Sequence, residues 1–125
     1  CNDLNKGLKE YLQKKSSDRK IKLVFFAYHE TTDAPVAFKG GEYQPIDGLV
    51  CEDGVGVFYA PIYANYYTSL TDTTDNYGSY KNTYSNMKYY EDIKKWSAIC
   101  NDIYLWYYGT NFKDYMIFYN NYSQI

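Results

Sequence analysis

The residues best suited to chemistry stand directly behind the most aggregation-prone run of the chain. Leu23, Val24, Phe25, Phe26 and Ala27 are followed at once by Tyr28, His29 and Glu30. Glu30 is the carboxylate immediately after that run, where desolvation and neighbouring rings would favour the protonated form that a general acid needs. His29 is placed to hydrogen-bond a ligand hydroxyl or to orient Glu30, although a lone histidine at a strand end is more often structural. Two more polar and aromatic clusters follow apolar runs in the same way: Tyr63, Asn65 and Tyr66 after VGVFYAP, then Trp106, Tyr108, Asn111 and Phe112, with Asp114 and Tyr115 close behind. Flat rings stack on the apolar faces of sugars, while phenols and amides bond their hydroxyls. A second carboxylate would have to come from Asp33, Asp72 or Asp75, all in long loops where turn and cap duties compete. No spacing singles one of them out.

These residues need elements to position them. An apolar β-prone run with no proline must be covered on both faces to avoid cross-β stacking. Such a strand belongs to a parallel sheet or barrel wrapped in helices, where residues past its C-terminal end face the functional crevice. Before it, Leu4, Leu8, Tyr11 and Leu12 recur at helical spacing, with Asp3 available as a cap and SSDRK closing the helix before a strand over 21–28. HETTDAPVAFKGGEYQPIDGLV is too rich in turn residues to be a crossover helix and reads as an insertion with a small hairpin around Gly40 and Gly41. A second strand runs from Val55 to Pro61. The polar, aromatic loop after it is long enough to suggest function rather than mere connection. Tyr89, Ile93, Trp96 and Cys100 then mark the apolar face of a second helix, with Lys88, Glu91, Asp92, Lys94 and Lys95 mostly opposite. IYLWYY forms the third strand. A strand, a helix and a strand in that order imply a right-handed parallel unit, so the fold class is α/β, with parallel strands, intervening helices and long loops after the strands. Three strands cannot close a barrel; a complete (β/α)8 barrel takes about 250 residues, and this chain would be roughly half of one.

Composition narrows the classes further. The 125 residues make one domain, read as residues 1–125 of a partial barrel, and 18 tyrosines help bring the aromatic content to 21%. A net charge of −2 leaves no footprint for nucleic acid, and the basic residues are interleaved with acids rather than gathered for phosphate or membrane. Cysteines at 1, 51 and 100 form no CxxC pair and lie near no histidine cluster, so neither a zinc site nor another cofactor is expected. The odd count argues against a disulfide framework, and Cys51 and Cys100, each just before a strand, read as small buried thiols. No run is apolar enough to insert in a membrane, and no signal peptide is visible. Starting at Cys1 and ending in an aromatic segment, the chain reads as a piece of a longer protein.

Three segments carry a resemblance: FAYHETTDAPV, VCEDGVGVFYAPIYANYYTSLTD and KKWSAICNDIYLWYYGTNFKDYM. Together they resemble a bacterial domain-of-unknown-function family of glycoside hydrolases, similar to α-glucuronidase-like and hexosaminidase-like TIM barrels, over residues 4 to 122. Residues 96–112 and the API segment are its most specific parts, and the match is to the C-terminal half of the barrel. The resemblance implies a secreted or cell-surface protein whose partners are a glycan substrate and the remainder of the barrel. Characterised relatives are endo-β-N-acetylglucosaminidases acting on complex N-glycans, which implies N-acetylglucosamine-containing substrates. There are departures: Trp106, Tyr107 and Tyr108 stand where many relatives have Trp-Asp-Tyr, and many carry an acidic residue near the position of Tyr63. A glycosidase needs two suitably separated acids, or one acid and help from the substrate's acetamido group, so catalytic carboxylates could lie on the other half.

Two functions from different classes follow. In the first, Glu30 or a residue beyond this chain protonates the glycosidic oxygen while tyrosines and tryptophan hold the sugar. In the second, the same cleft binds carbohydrate without catalysis. A third expectation concerns the isolated chain alone: open strand edges and KLVFFA would drive self-association.

Overall fold

The computed structural model describes residues 1–66, 68–72, 86–109 and Met116. The candidates Asn111, Phe112, Asp114, Tyr115 and Asp75 lie outside the described residues. The elements in chain order are α1 (Asn2–Lys14), β1 (Leu23–Ala27), β2 (Val36–Lys39), β3 (Glu42–Pro45), β4 (Val55–Tyr59), α2 (Asn86–Ser97) and β5 (Asp102–Leu105).

The LVFFA and VGVFY runs are rich in aromatic and β-branched residues and form neighbouring strands. β1 pairs parallel with β4 from Leu23 opposite Val55 to Ala27 opposite Tyr59, and β4 pairs parallel with β5 from Gly56 opposite Asp102 to Tyr59 opposite Leu105. The sheet order is therefore β1-β4-β5. The α/β class and the parallel pairing expected from the sequence are present. β5 is shorter than IYLWYY suggests, although the Trp106 N–H continues the ladder to the Tyr59 carbonyl at 2.8 Å.

Partners in a parallel register share a face, so Phe25, Val57 and Ile103 point one way and Phe26, Phe58 and Tyr104 the other. α2 covers the first face. Its Trp96 meets Phe25 edge to face at 5.6 Å and donates its indole N–H to the Thr32 carbonyl at 2.8 Å. Around it Ala27, Val57, Tyr59, Tyr89, Ile99 and Cys100 form the core. The stripe of Tyr89, Ile93, Trp96 and Cys100 thus packs as its spacing predicts. The second face corrects the expectation of two-sided cover. One helical layer covers one side of the sheet, and Phe26 remains 52% exposed among the described residues.

The link from β1 to β4 carries the hairpin that the sequence indicates. β2 and β3 are antiparallel, with Phe38 opposite Tyr43. They turn at Gly40 and Gly41, whose φ values of 63° and 91° are the left-handed pair that a two-residue type I′ turn requires. Tyr43 pins the hairpin to α2 by donating its hydroxyl to Glu91 at 2.9 Å.

α1 departs from expectation in two respects. Its N-cap is Cys1, with no side-chain cap bond, and Asp3 sits in the first turn instead. Leu4 and Tyr11 on its apolar stripe are exposed, and the helix docks through asparagines. Asn2 donates to the Val50 carbonyl at 2.7 Å and accepts from the Glu52 N–H at 3.1 Å, while buried Asn5 donates to the Asp53 carbonyl at 3.0 Å. The turn before β4 presents main-chain groups that need partners, and an amide side chain can satisfy both donors and acceptors.

The tightest packing between strands is at Gly56. A Cβ there would lie 3.0 Å from the Asp102 carbonyl oxygen and 3.1 Å from both the Asp102 Cβ and Tyr104 Cε2. Gly56→Val is therefore expected to destabilise the protein by roughly 1–3 kcal/mol through overpacking, read as a lower urea midpoint by tryptophan fluorescence. An unchanged midpoint would mean that β4 and β5 do not pair in this register.

Candidate functional site

Because β1, β4 and β5 are parallel, the segments leaving them emerge at one end of the sheet. Tyr28 to Thr32, Ala60 to Asn65 and Trp106 to Gly109 are those segments. At the end of β1 the chain turns through a short 3-10 turn, His29–Thr31. Thr31 fastens it: its hydroxyl accepts the Tyr28 N–H at 3.1 Å and lies 3.1 Å from the Phe26 carbonyl. His29 takes a left-handed φ of 50°, uncommon for a residue with a side chain. Its ring lies 3.9 Å from that of Tyr28 and 6.0 Å from that of Tyr63, centroid to centroid.

His29, Asp33, Tyr63 and Lys88 line a cleft of about 180 Å³, with Ala60 and Tyr89 also in its wall. The Tyr89 hydroxyl accepts the Tyr63 N–H at 3.2 Å. That bond fixes the backbone while the Tyr63 side chain stays 44% exposed. The cleft combines an imidazole, a phenol, a carboxylate and an ammonium in a small volume, a set suited to hydrogen-bonding a polyhydroxyl ligand. Glu30 is exposed on the 3-10 turn. The desolvation expected to suit it to acid catalysis is not provided by this chain's described residues.

Beneath the cleft lies a carboxylate expected opposite the apolar face of α2 and found on it instead. Asp92 is 0% exposed. It accepts from the Tyr59 hydroxyl at 3.1 Å and from Lys95 at 3.1 Å, and it pairs with Lys88, which also reaches Asp33 at 3.6 Å. A buried carboxylate without such partners would be strongly destabilising. Its position was legible, since Asp92 falls three residues after Tyr89 and four before Trp96, on the buried stripe itself. Its acidic character concealed it. The same spacing places Asn86 three residues before Tyr89, and it too is wholly buried. Its amide accepts the Asn65 N–H at 2.8 Å and donates to the Asn65 and Ser69 carbonyls at 3.0 and 3.1 Å.

The other candidates separate into three groups. Asn65 is held by these main-chain bonds to Asn86. Tyr66, expected on a sugar platform, is 6% exposed; its hydroxyl donates to the Pro61 carbonyl at 2.7 Å and its ring packs edge-on against Tyr107 and Tyr108 at 5.0 and 6.1 Å. It is core, because a phenol with a main-chain acceptor in reach can be buried at little cost. Tyr108 is half-buried in this cluster, and burial, followed by nearby Tyr28, raises its pKa. Trp106 stands apart on the open face of the sheet, 48% exposed, 5.6 Å from Phe26 and 5.9 Å from Phe58 in edge-on contacts. With Tyr104 tilted 5.2 Å from Phe58, the open face is a continuous aromatic surface. Phe26 belongs to this surface although LVFFA is expected to be covered on both faces, and Phe58 joins it from β4. Among the described residues no group of three His, Cys, Asp or Glu side chains could hold a metal, and no helix is long and apolar enough to cross a membrane.

A parallel sheet backed by a helix, with a polar cleft at the strand ends, is the class of structure that fold and cleft define. Within that class, a family model described as Domain of unknown function (DUF4838) matches residues 4–125, and the chain belongs to that family. No curated protein and no solved structure matches it.

The Asp92 hub predicts an alkaline limit on stability. Burial first, and then the Asp92 carboxylate, hold the Tyr59 phenol well above its ordinary value of 10.0. Burial pulls Lys95 down, but its bond to Asp92 more than offsets this, so it too is raised. Both groups keep their protons in the folded state where the unfolded chain releases them, so stability holds below about pH 10 and falls above it. Tyr59→Phe is expected to cost about 1.5–3 kcal/mol at pH 7, as for a hydrogen bond to a charged group, and to make the fall above pH 10 shallower. Urea titrations of both proteins from pH 7 to 11 check this; equal alkaline slopes would exclude Tyr59 as its source.

Proposed function

We propose that this chain is part of a (β/α)8 barrel, the remainder of which lies in the same longer protein, and that it forms one wall of the glycan-binding cleft of a glycoside hydrolase acting on N-acetylglucosamine-containing glycans. In this reading the protein is secreted or cell-surface. The observation that carries it is the cluster of His29 and exposed Tyr63 in a polar cleft at the C-terminal ends of parallel strands, the end at which barrels and open α/β sheets place their ligands. The aromatic face of Phe26, Phe58, Tyr104 and Trp106 supports the barrel, because side chains alternate in and out along barrel strands and one set must fill the interior. Helix α2 on the opposite face is where an outer helix belongs.

Within the cleft, Tyr63 would stack on a sugar ring while His29 and Asp33 bond its hydroxyls. Glu30, on the same turn as His29, would protonate the glycosidic oxygen once the rest of the barrel covers it. A non-catalytic carbohydrate-binding domain is the second reading, favoured by one observation: the cleft's carboxylate, Asp33, is within ion-pair reach of Lys88.

The test is hydrolysis of a complex N-glycan and of aryl glycosides by the full-length parent and its variants, with glycan binding measured alongside. The expected results are a loss of roughly 10²–10⁴ in turnover for Glu30→Gln with binding retained, the range for a general acid, and about tenfold weaker binding for Tyr63→Ala, equal to about 1.4 kcal/mol. Unchanged turnover in Glu30→Gln would move the acid off this chain. Binding without any turnover in the parent would select the second reading, and no glycan binding at all would overturn both.

A further inference from the structure

Cys51 and Cys100 are far apart in sequence and adjacent in space. Cys51 sits in the turn that leads into β4, and Cys100 in the turn between α2 and β5. The Cys51 N–H donates to the Ile99 carbonyl at 2.7 Å, which brings the two main chains to ladder spacing one residue from Cys100. Disulfides span Cα separations of about 4.4–6.8 Å, the range that such spacing supplies. The Cys100 thiol reaches the Val55 and Asp102 carbonyls at 3.7 and 3.5 Å, beside the turn that carries Cys51, and it is close enough to raise the pKa of the Cys51 thiol after burial has done so. Cys100 is buried, whereas Cys51 is half-buried and opens onto a groove of about 520 Å³ that it shares with Phe25, Val55 and Trp96. The third cysteine, Cys1, is exposed and also borders that groove.

We propose that Cys51 and Cys100 are the two halves of a structural disulfide, which staples the entry to β4 to the end of α2. The chemistry is thiol–disulfide exchange with a small-molecule disulfide such as oxidised glutathione. The Cys51 thiolate attacks one glutathione sulfur, and the other glutathione leaves as a thiolate that takes up a proton. Cys100, deprotonated, then attacks the Cys51 sulfur and expels the second glutathione. Two protein thiols are oxidised, and one glutathione disulfide is reduced to two thiols. The reaction belongs to the folding chain: in the folded protein, burial and the neighbouring Cys100 thiol push Cys51 up to about 12, so its thiolate is scarce near pH 7. A bond formed during folding is then also poorly placed to be exchanged.

The experiment refolds the reduced, denatured protein in a mixture of oxidised and reduced glutathione, alkylates the remaining thiols and maps tryptic peptides by mass spectrometry. Cys51 and Cys100 fall on separate tryptic peptides, residues 40–81 and 96–113. The expected product is those two peptides linked, with Cys1 alkylated. The midpoint of thermal unfolding should fall by about 10 °C on reduction, the size expected for a disulfide closing a loop of this length, and the fall should be absent in Cys51→Ser. Alkylation of both Cys51 and Cys100, their capture as mixed glutathione disulfides, a link to Cys1 in place of the pair, or a midpoint indifferent to reduction would each overturn the proposal.

Discussion

The structure depends on a charge with no access to water. Asp92 lies between α2 and the sheet with 0% exposure, and two lysines and a tyrosine hydroxyl satisfy it. Removing a carboxylate from water costs several kcal/mol before any partner repays it; Lys88 and Lys95 hold it from within α2, one turn to either side, so the helix can pack only where the Tyr59 hydroxyl of the sheet reaches the same carboxylate. This requirement sets the rotation of α2 on the sheet more sharply than apolar contact would, because apolar contact is non-directional. The cleft inherits that placement. Lys88, in its wall, is anchored from below by Asp92 and reaches outward to Asp33.

The same helix face explains what was legible in the sequence. The apolar runs at 23–27 and 55–59 announced strands, the GG pair announced the hairpin, and the spacing of Tyr89, Ile93, Trp96 and Cys100 announced α2, because each follows from a local period or turn rule. Asp92 and Asn86 obey the same helical period, yet their polarity argued for solvent. Only the three-dimensional arrangement of partners reverses that inference. Tyr66 shows the converse error. A tyrosine in a loop is compatible with a sugar platform or with a core, and the deciding fact is the Pro61 carbonyl within reach of its hydroxyl, which no spacing reveals. α1 fails for a third reason: its apolar stripe is real in the sequence, but the contacts that dock it run from amide side chains to main-chain groups of the turn before β4.

The open aromatic face and the cleft are consequences of one topology. Parallel pairing sets Phe26, Phe58 and Tyr104 level with one another across three strands, and it also delivers His29, Tyr63 and Trp106 to the same end of the sheet. Had β4 run antiparallel to β1, Tyr63 would leave from the opposite end and His29 would stand alone.

Asn86 grips the loop after β4 mainly by its backbone, through the main chain of Asn65, Thr68 and Ser69. Peptide groups are common to nearly all residues, so that clasp does not read most of the side chains it holds. Loop shape and loop sequence are thereby separated: residues at 65 and 69 can be exchanged without loosening the clasp. A loop held in this way can change those side chains without rebuilding the scaffold beneath it.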